Sequence, residues 1–397
     1  MLIPLSQATP TTCGPKAASL ATLLQTHLPV PDGVVIPFPI SPTPDGNAGI
    51  GGESVVGRGC GGGLAAEEVE ELRRWLVSAG DPVVAVRSSA SNEDTGLASA
   101  AGQHDSFLGV HGIDAVVDAV RACRASLWSE RATAYRKDSP TPAMAVIIQH
   151  HVDAAVSGVL FTSPDGSTLI EASWGLGPSV VEGHVTPDRY EVRNAGVTRT
   201  IADKPTALVR DGSHLVTRPV PADQRRTPTL SDATAVHLAT LAHRAATTFG
   251  SPQDIEWAIA ANTIWLLQSR PVTTHPPTPT PTPPSTRAVL SGTPASHGVA
   301  TGSARVVRGP ADFGFVRPGD ILVCPYTDPA WTPLLSIAAG VITETGGVLS
   351  HAAIVAREHG IPAVLAVPRA TDRIPTGVTI TLNGSTGAVH LNPASET

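Results

Sequence analysis

Residues 275–287, HPPTPTPTPPSTR, limit what this chain can fold into more than any other stretch. Proline lacks a backbone N–H and holds φ near −65°, so a run of this kind cannot enter a helix interior or the middle of a sheet. It offers almost nothing to bury. The composition predicts a semi-rigid polyproline II spacer of about 3.1 Å per residue. The chain is therefore expected to fold as separate bodies on either side, residues 1–274 and residues 288–397. Taken alone, the spacer serves equally as a passive tether or as a stiff arm that carries one body between two places.

The C-terminal body centres on residues 343–364, TETGGVLSHAAIVAREHGIPAV. Val341-Ile342-Thr343 reads as the end of a buried strand, and Gly346-Gly347 as a turn with backbone freedom. Ser350 is placed as an N-cap, so His351 opens a helix over Ala352–His359. Gly360 follows as the residue after the C-cap, and Pro362 prevents continuation. His351 thus stands at the positive end of a helix, near unbonded N–H groups that suit an anion on its ring. An imidazole of ordinary pKa, ~6.5, is largely neutral at pH 7 and nucleophilic without a helper base.

Composition narrows the class. A chain of 397 residues with net charge −7 and no run of Lys or Arg has no footprint for nucleic acid or an anionic membrane. No apolar run reaches the ~20 residues of a spanning helix. The opening MLIPLSQATPTTCGPK lacks a secretory pattern, so a cytoplasmic protein is expected. Cys13, Cys60, Cys123 and Cys324 are far apart with no C-x-x-C, which favours free thiols over a disulfide framework or zinc site.

Within residues 1–274 the periodicities predict a mixed α/β (α+β) body. Helices are expected at Lys16–Thr26, Glu67–Ala79, about 113–137 and about 230–249. Strands are expected at Gly33–Phe38, Val83–Val86, Ala145–Gln149, Gly158–Thr162, Asp254–Ala260 and Thr263–Gln268, with two more around a glycine turn in 168–193. Residues 87–107 read as a long polar loop whose small residues allow backbone N–H groups to approach phosphate. The glycine run GRGCGGG lacks a following G-K-[ST] and reads as a surface loop. Lys16 and Arg87 are suited to neutralising a polyphosphate. Glu256 and Gln268 fall on facing strands, where both supply oxygen to Mg²⁺, and Arg270 shares the face of Gln268 by the period of two.

Residues 343–364 resemble the phosphohistidine signature of phosphoenolpyruvate synthases and pyruvate phosphate dikinases, T-x-G-G-x-x-S-H-A-A-I-x-A-R-E-x-G-I-P-A-V, which Gly346–Val364 matches without a gap. The N-terminal body resembles the ATP-grasp domain of the same enzymes in several blocks: CGPKAASL at 13–20, VRSSASNEDTGLASAAGQHDSFLGV at 86–110, IEASWGLGPSVVEGHVTPDRYEV at 170–192 and DIEWAIAANTIWLLQSRPVT at 254–273. It departs at Pro15, Ala100 and Pro178, where the pattern has Gly, an aromatic and Glu. By motif position the resemblance implies that Lys16, Arg87, Gly102, Ser106, Gln149, Glu256, Gln268 and Arg270 contact ATP or its metal, with Gln149 near the adenine. Glu171, Asp188, Arg131 and Arg136 also lie in matching blocks, where structural salt bridges explain them equally well.

The resemblance implies an ATP-grasp domain followed by a small swivelling phosphohistidine domain. It implies that His351 takes a phosphoryl group from Mg-ATP, releasing AMP and phosphate, and passes it to a second site. The dikinases carry a C-terminal barrel for pyruvate or phosphoenolpyruvate, and the similar rifampicin phosphotransferases an antibiotic-binding helical domain; neither pattern is present here. A small-molecule acceptor is expected, or alternatively an acceptor domain on a separate polypeptide. An ATP-dependent substrate-activating condensation enzyme is a further alternative.

Overall fold

The structure, a computed structural model, describes residues 1–39, 64–93, 104–129, 132–133, 142–194, 196–277 and 290–392. The glycine run, Gly102, Arg131, Arg136 and most of the proline-rich stretch lie outside these. The chain forms two compact units, one of residues 1–22, 31–93 and 103–151, the other of residues 23–30, 94–102 and 152–397.

The first unit is built on a five-stranded sheet in the order Ile3–Pro4, Gly33–Ile36, Met144–His150, Val84–Ala90, Ser106–Val110, with every pairing antiparallel. Helix Ala66–Ser78 presents Leu72 and Leu76 on one face, four residues apart, and helix Ile113–Ala125 presents Val116, Val117 and Val120. Both meet Val84, Val86, Val146 and Ile148 in one core. The strand at Val84–Ala90 runs four residues past its expected end, into the stretch read from sequence as loop. Small, polar Ser88 and Ser89 hid it, because burial on both faces removes the polar–apolar alternation that marks a strand.

The expected helix at Lys16–Thr26 begins earlier, at Pro10, and is broken at Gly14, whose φ is 79°. A Cβ on Gly14 would overlap Ser89. The Ser89 hydroxyl donates to the Cys13 carbonyl at 2.6 Å and accepts from the Ala17 N–H at 3.2 Å, holding the break.

The second unit contains an antiparallel six-stranded sheet ordered Thr263–Pro271, Gln253–Ala260, Val156–Thr162, Thr168–Trp174, Asp188–Arg193, Gly196–Thr200. Helix Asp232–Phe249 packs on it. The Ser231 hydroxyl caps this helix by accepting from Thr234 N–H, and Gly250 ends it with a φ of 69°. The strand Gly196–Thr200 and the ribbon Thr206–Asp211/His214–Pro219 were not legible in the sequence, because their faces are largely exposed and carry no apolar stripe.

Residues 290–392 form an eight-stranded mixed sheet whose four central strands, Val299–Val306, Ile321–Cys324, Gly340–Thr343 and Ala363–Leu365, run parallel. Successive residues alternate between two cores. Ile321, Val323, Ile342 and Val364 face one; Leu322, Cys324, Val341, Ala363 and Leu365 face the other. The second core also takes in the helix His351–Glu358 together with Val159, Phe161, Val180 and Val185 from the six-stranded part. The His351 body is thus seated on that sheet through shared apolar packing.

Candidate active site

The helix of His351 begins and ends where its sequence says. Ser350 has extended N-cap geometry, but its hydroxyl donates to the Gly347 carbonyl at 2.8 Å and does not cap the helix. It closes the preceding turn. At the other end Gly360 has a φ of 66°; its N–H reaches Arg357 O and the Ile361 N–H reaches Ala356 O, the two bonds of a Schellman stop.

His351 is 2 % exposed. Its Nδ1 lies 3.2 Å from the Thr327 hydroxyl and its Nε2 3.4 Å from the Thr332 hydroxyl. Burial, helped by the positive charge of Arg270, pushes its pKa down to about 4. The ring is therefore a neutral base at any physiological pH, more firmly so than its sequence implied. Thr327 and Thr332 come from the PYTDPAWT stretch at 325–332, which no spacing argument connects to His351; only the fold brings them together.

The hairpin beside it carries the expected face. Glu256 pairs directly with Gln268, and Asp254 with Arg270. By alternation all four project to one side. Arg270 Nε donates to the Asp254 carboxylate at 2.8 Å, both groups being buried. Burial raises the Asp254 pKa against the pull of Arg270. Glu182 is pushed up to about 7 by burial and by the nearby charges of Asp328 and Glu256. A negative field therefore collects beside the hairpin. Among the described residues no three His, Cys, Asp or Glu side chains are placed to hold a metal by themselves. Glu256 and Gln268, paired across the hairpin, are the oxygen donors on this face that the sequence offered to Mg²⁺.

Of the remaining predicted residues, Lys16, Arg87, Ser106 and Gln149 belong to the first unit, and Gly102 lies outside the described residues. Lys16 is buried, 3.3 Å from Glu93 and 3.5 Å from the Ser88 hydroxyl. Burial alone would raise the Glu93 pKa, but Lys16, His104, the Ala90 N–H and Ser88 together hold it low. Arg87 is buried on its strand and pairs in register with Ser106, which is exposed. Gln149 is buried and donates from Nε2 to the Pro31 carbonyl at 2.7 Å.

Of the residues read as plausible salt-bridge partners, Asp188 is one: with Lys204 it forms a fully buried pair at 2.6 Å, and it also accepts from Thr229 and Ala202. Glu171 does something else. Its carboxylate accepts the backbone N–H of Val348 at 2.8 Å and of Leu349 at 2.9 Å, in the turn leading to His351. Arg357, pushed down to about 10 by burial, donates to Val348 O, Ala295 O and the Thr274 hydroxyl.

Two family models match. Residues 65–288 match the pyruvate phosphate dikinase AMP/ATP-binding domain, and residues 316–387 the mobile domain of PEP-utilising enzymes. This chain belongs to the pyruvate phosphate dikinase family. Among curated relatives, it is 40 % identical to a probable phosphoenolpyruvate synthase of Methanothermobacter thermautotrophicus over 78 % of this chain and 47 % of that one. It is 35 % identical to the phosphoenolpyruvate synthase of Escherichia coli over 77 % of this chain and 43 % of that one. The chain spans less than half the length of these relatives. A solved L-amino acid ligase of Bacillus licheniformis overlaps 66 % of this chain and 43 % of its own, with 11 % identity and a TM-score of 0.31. No helix among the described residues is long and apolar enough to cross a membrane.

Proposed function

We propose that the chain is an ATP-dependent phosphotransferase in which an ATP-grasp domain, residues 1–274, loads a phosphoryl group onto His351 of a swivelling domain, residues 288–397. The observation that carries this reading is a neutral, buried imidazole under the field of Arg270, seated on the sheet whose edge hairpin presents Asp254, Glu256, Gln268 and Arg270 on one face. Lys16, Arg87, Gly102, Ser106 and Gln149 would complete the nucleotide site. Glu256 and Gln268 would hold Mg²⁺, which when bound screens the phosphate oxygens and polarises the group under attack.

His351 attacks the β-phosphorus of ATP, and the bond to the α-phosphate oxygen breaks, so AMP leaves with the electron pair. The terminal phosphate is then lost from the ring-bound pyrophosphate to water, leaving phosphohistidine and phosphate. Low basicity of the ring also makes its phosphoramidate a better donor, since the imidazole is the leaving group of the next transfer. Arg270 needs no proton step to serve the transferring phosphoryl group; its guanidinium remains charged throughout. The acceptor is a small molecule, or a domain on another polypeptide.

The test is transfer of label from β-³²P-ATP to protein. Acid-labile, alkali-stable label on the wild type, absent in His351→Ala and His351→Asn with nucleotide binding retained, is the expected result. Label persisting in His351→Ala would place the nucleophile elsewhere. Glu256→Ala and Gln268→Ala should each slow AMP release by about tenfold or more; unchanged release would remove those residues from the metal site.

A further inference from the structure

Glu171 lies in the middle of the strand Thr168–Trp174, buried with its neighbours on both faces of the sheet. A carboxylate there loses its hydration and is tolerated only if its lone pairs find donors. Each oxygen takes one: Oε1 accepts from Val348 N–H at 2.8 Å and Oε2 from Leu349 N–H at 2.9 Å. These two residues immediately precede Ser350, after which His351 opens the helix. The side chains of Val348 and Leu349 enter the core shared with Val159 and Phe161. The Thr345 hydroxyl, on the same loop, donates to Gly183 O at 2.6 Å.

Gly347 completes the fit. A Cβ at this position would overlap the Glu171 carboxylate, yet its φ lies outside the left-handed region, so backbone strain does not require glycine here. Room for Glu171 does. If the His351 body moved off the sheet, both the carboxylate and the two N–H groups would be hydrated. The contact therefore reports on seating.

We propose that Glu171 is the receptor that seats the His351 loop for the ATP half-reaction, a positioning residue that grips two adjacent backbone N–H groups two and three residues before the nucleophile. Its purpose rests on the phosphohistidine reading above; its geometry does not. Because the grip is on backbone, it sets the height and tilt of the helix start without touching nucleotide or the imidazole.

Glu171→Gln keeps the shape but turns one acceptor into an NH₂ facing an N–H. Gly347→Ala intrudes from the other side. In the full chain, each should slow single-turnover labelling of His351 from β-³²P-ATP by about tenfold or more, with nucleotide affinity within error of wild type. Phosphoramidate, a small donor that needs no nucleotide, should label His351 faster in both variants, since the ring leaves its buried seat more often. The pair Glu171→Ala/Gly347→Ala should be no slower than Glu171→Ala alone, because the methyl then meets no carboxylate. A wild type that phosphoramidate labels and ATP does not would overturn the phosphohistidine reading and leave the seat standing if the variants still label faster. Variants labelled by both donors at wild-type rates overturn the seat alone, as does slower labelling by both donors, which would mark a general defect of the fold.

Discussion

His351 combines two properties that oppose each other in water. It opens a helix, whose positive end favours an anion, yet burial keeps it from carrying a proton until about pH 4. The linkage has a definite sign. The unfolded chain takes up a proton near pH 6.5 and the folded one refuses it, so the stabilising term is complete above 6.5 and is lost as pH falls toward about 4. Chemical denaturation of wild type against His351→Asn across that range should show a gap that changes by on the order of 3 kcal/mol at most. A constant gap would mean the ring is not held neutral. Glu182 has the opposite sign. Its pKa is raised, so the folded anion is penalised as pH rises from 4.5 to about 7. Glu182→Gln should therefore stabilise the protein more at pH 8 than at pH 5. The gain should be small, because the side chain stays 37 % exposed and water screens it; a reversed pH order would contradict the assignment.

Helix His351–Glu358 is short, and its two ends matter more than its propensity. Eight residues form too little helix to stand alone, so packing and termination hold it. Gly360 is the clearest test, because nothing lies within contact distance of a Cβ there and only its φ of 66° is at stake. Gly360→Ala should cost about 1 kcal/mol in urea denaturation with labelling of His351 retained. A neutral result would show that the last turn relaxes without it. The hairpin Gln253–Ala260/Thr263–Pro271 works differently. Its register places Glu256 opposite Gln268, and a slip of the edge strand by one residue would turn Gln268 and Arg270 away from Glu256.

For the whole molecule, the question is whether the His351 body travels. It is seated on the six-stranded sheet through one apolar core, the Glu171 fork, the Thr273–Glu358 bond and Arg357. A phosphohistidine held there permanently would reach no acceptor elsewhere. The thirteen residues 275–287 would reach roughly 40 Å if extended in polyproline II. Spin labels near Glu256 and on the His351 body should give more than one distance, with populations that shift on adding Mg-ATP. Deleting Pro276–Pro283 should impair labelling of His351, whereas a Gly/Ser stretch of equal length should slow it only modestly. One distance, unmoved by nucleotide, with full labelling in the deletion would make the segment a tether and the seat permanent.

The sequence alone determined what local chemistry governs: the helix start at His351, its stop at Gly360, the Glu256–Gln268 pairing and the mixed α/β class. Each depends on residues a few positions apart, or on alternation across one hairpin, so the pattern survives without a fold. Tertiary structure decided the rest. Glu171 and Leu349 are 178 positions apart, and the bond between them uses a backbone N–H that every residue but proline carries, so nothing in the letters marks it. Thr327 and Thr332 reach the imidazole only because parallel strands return to the same sheet end. The low pKa of His351 is likewise a property of burial and of Arg270, not of histidine. Solvent exclusion is a property of the assembled fold, and it holds an otherwise ordinary imidazole neutral down to about pH 4.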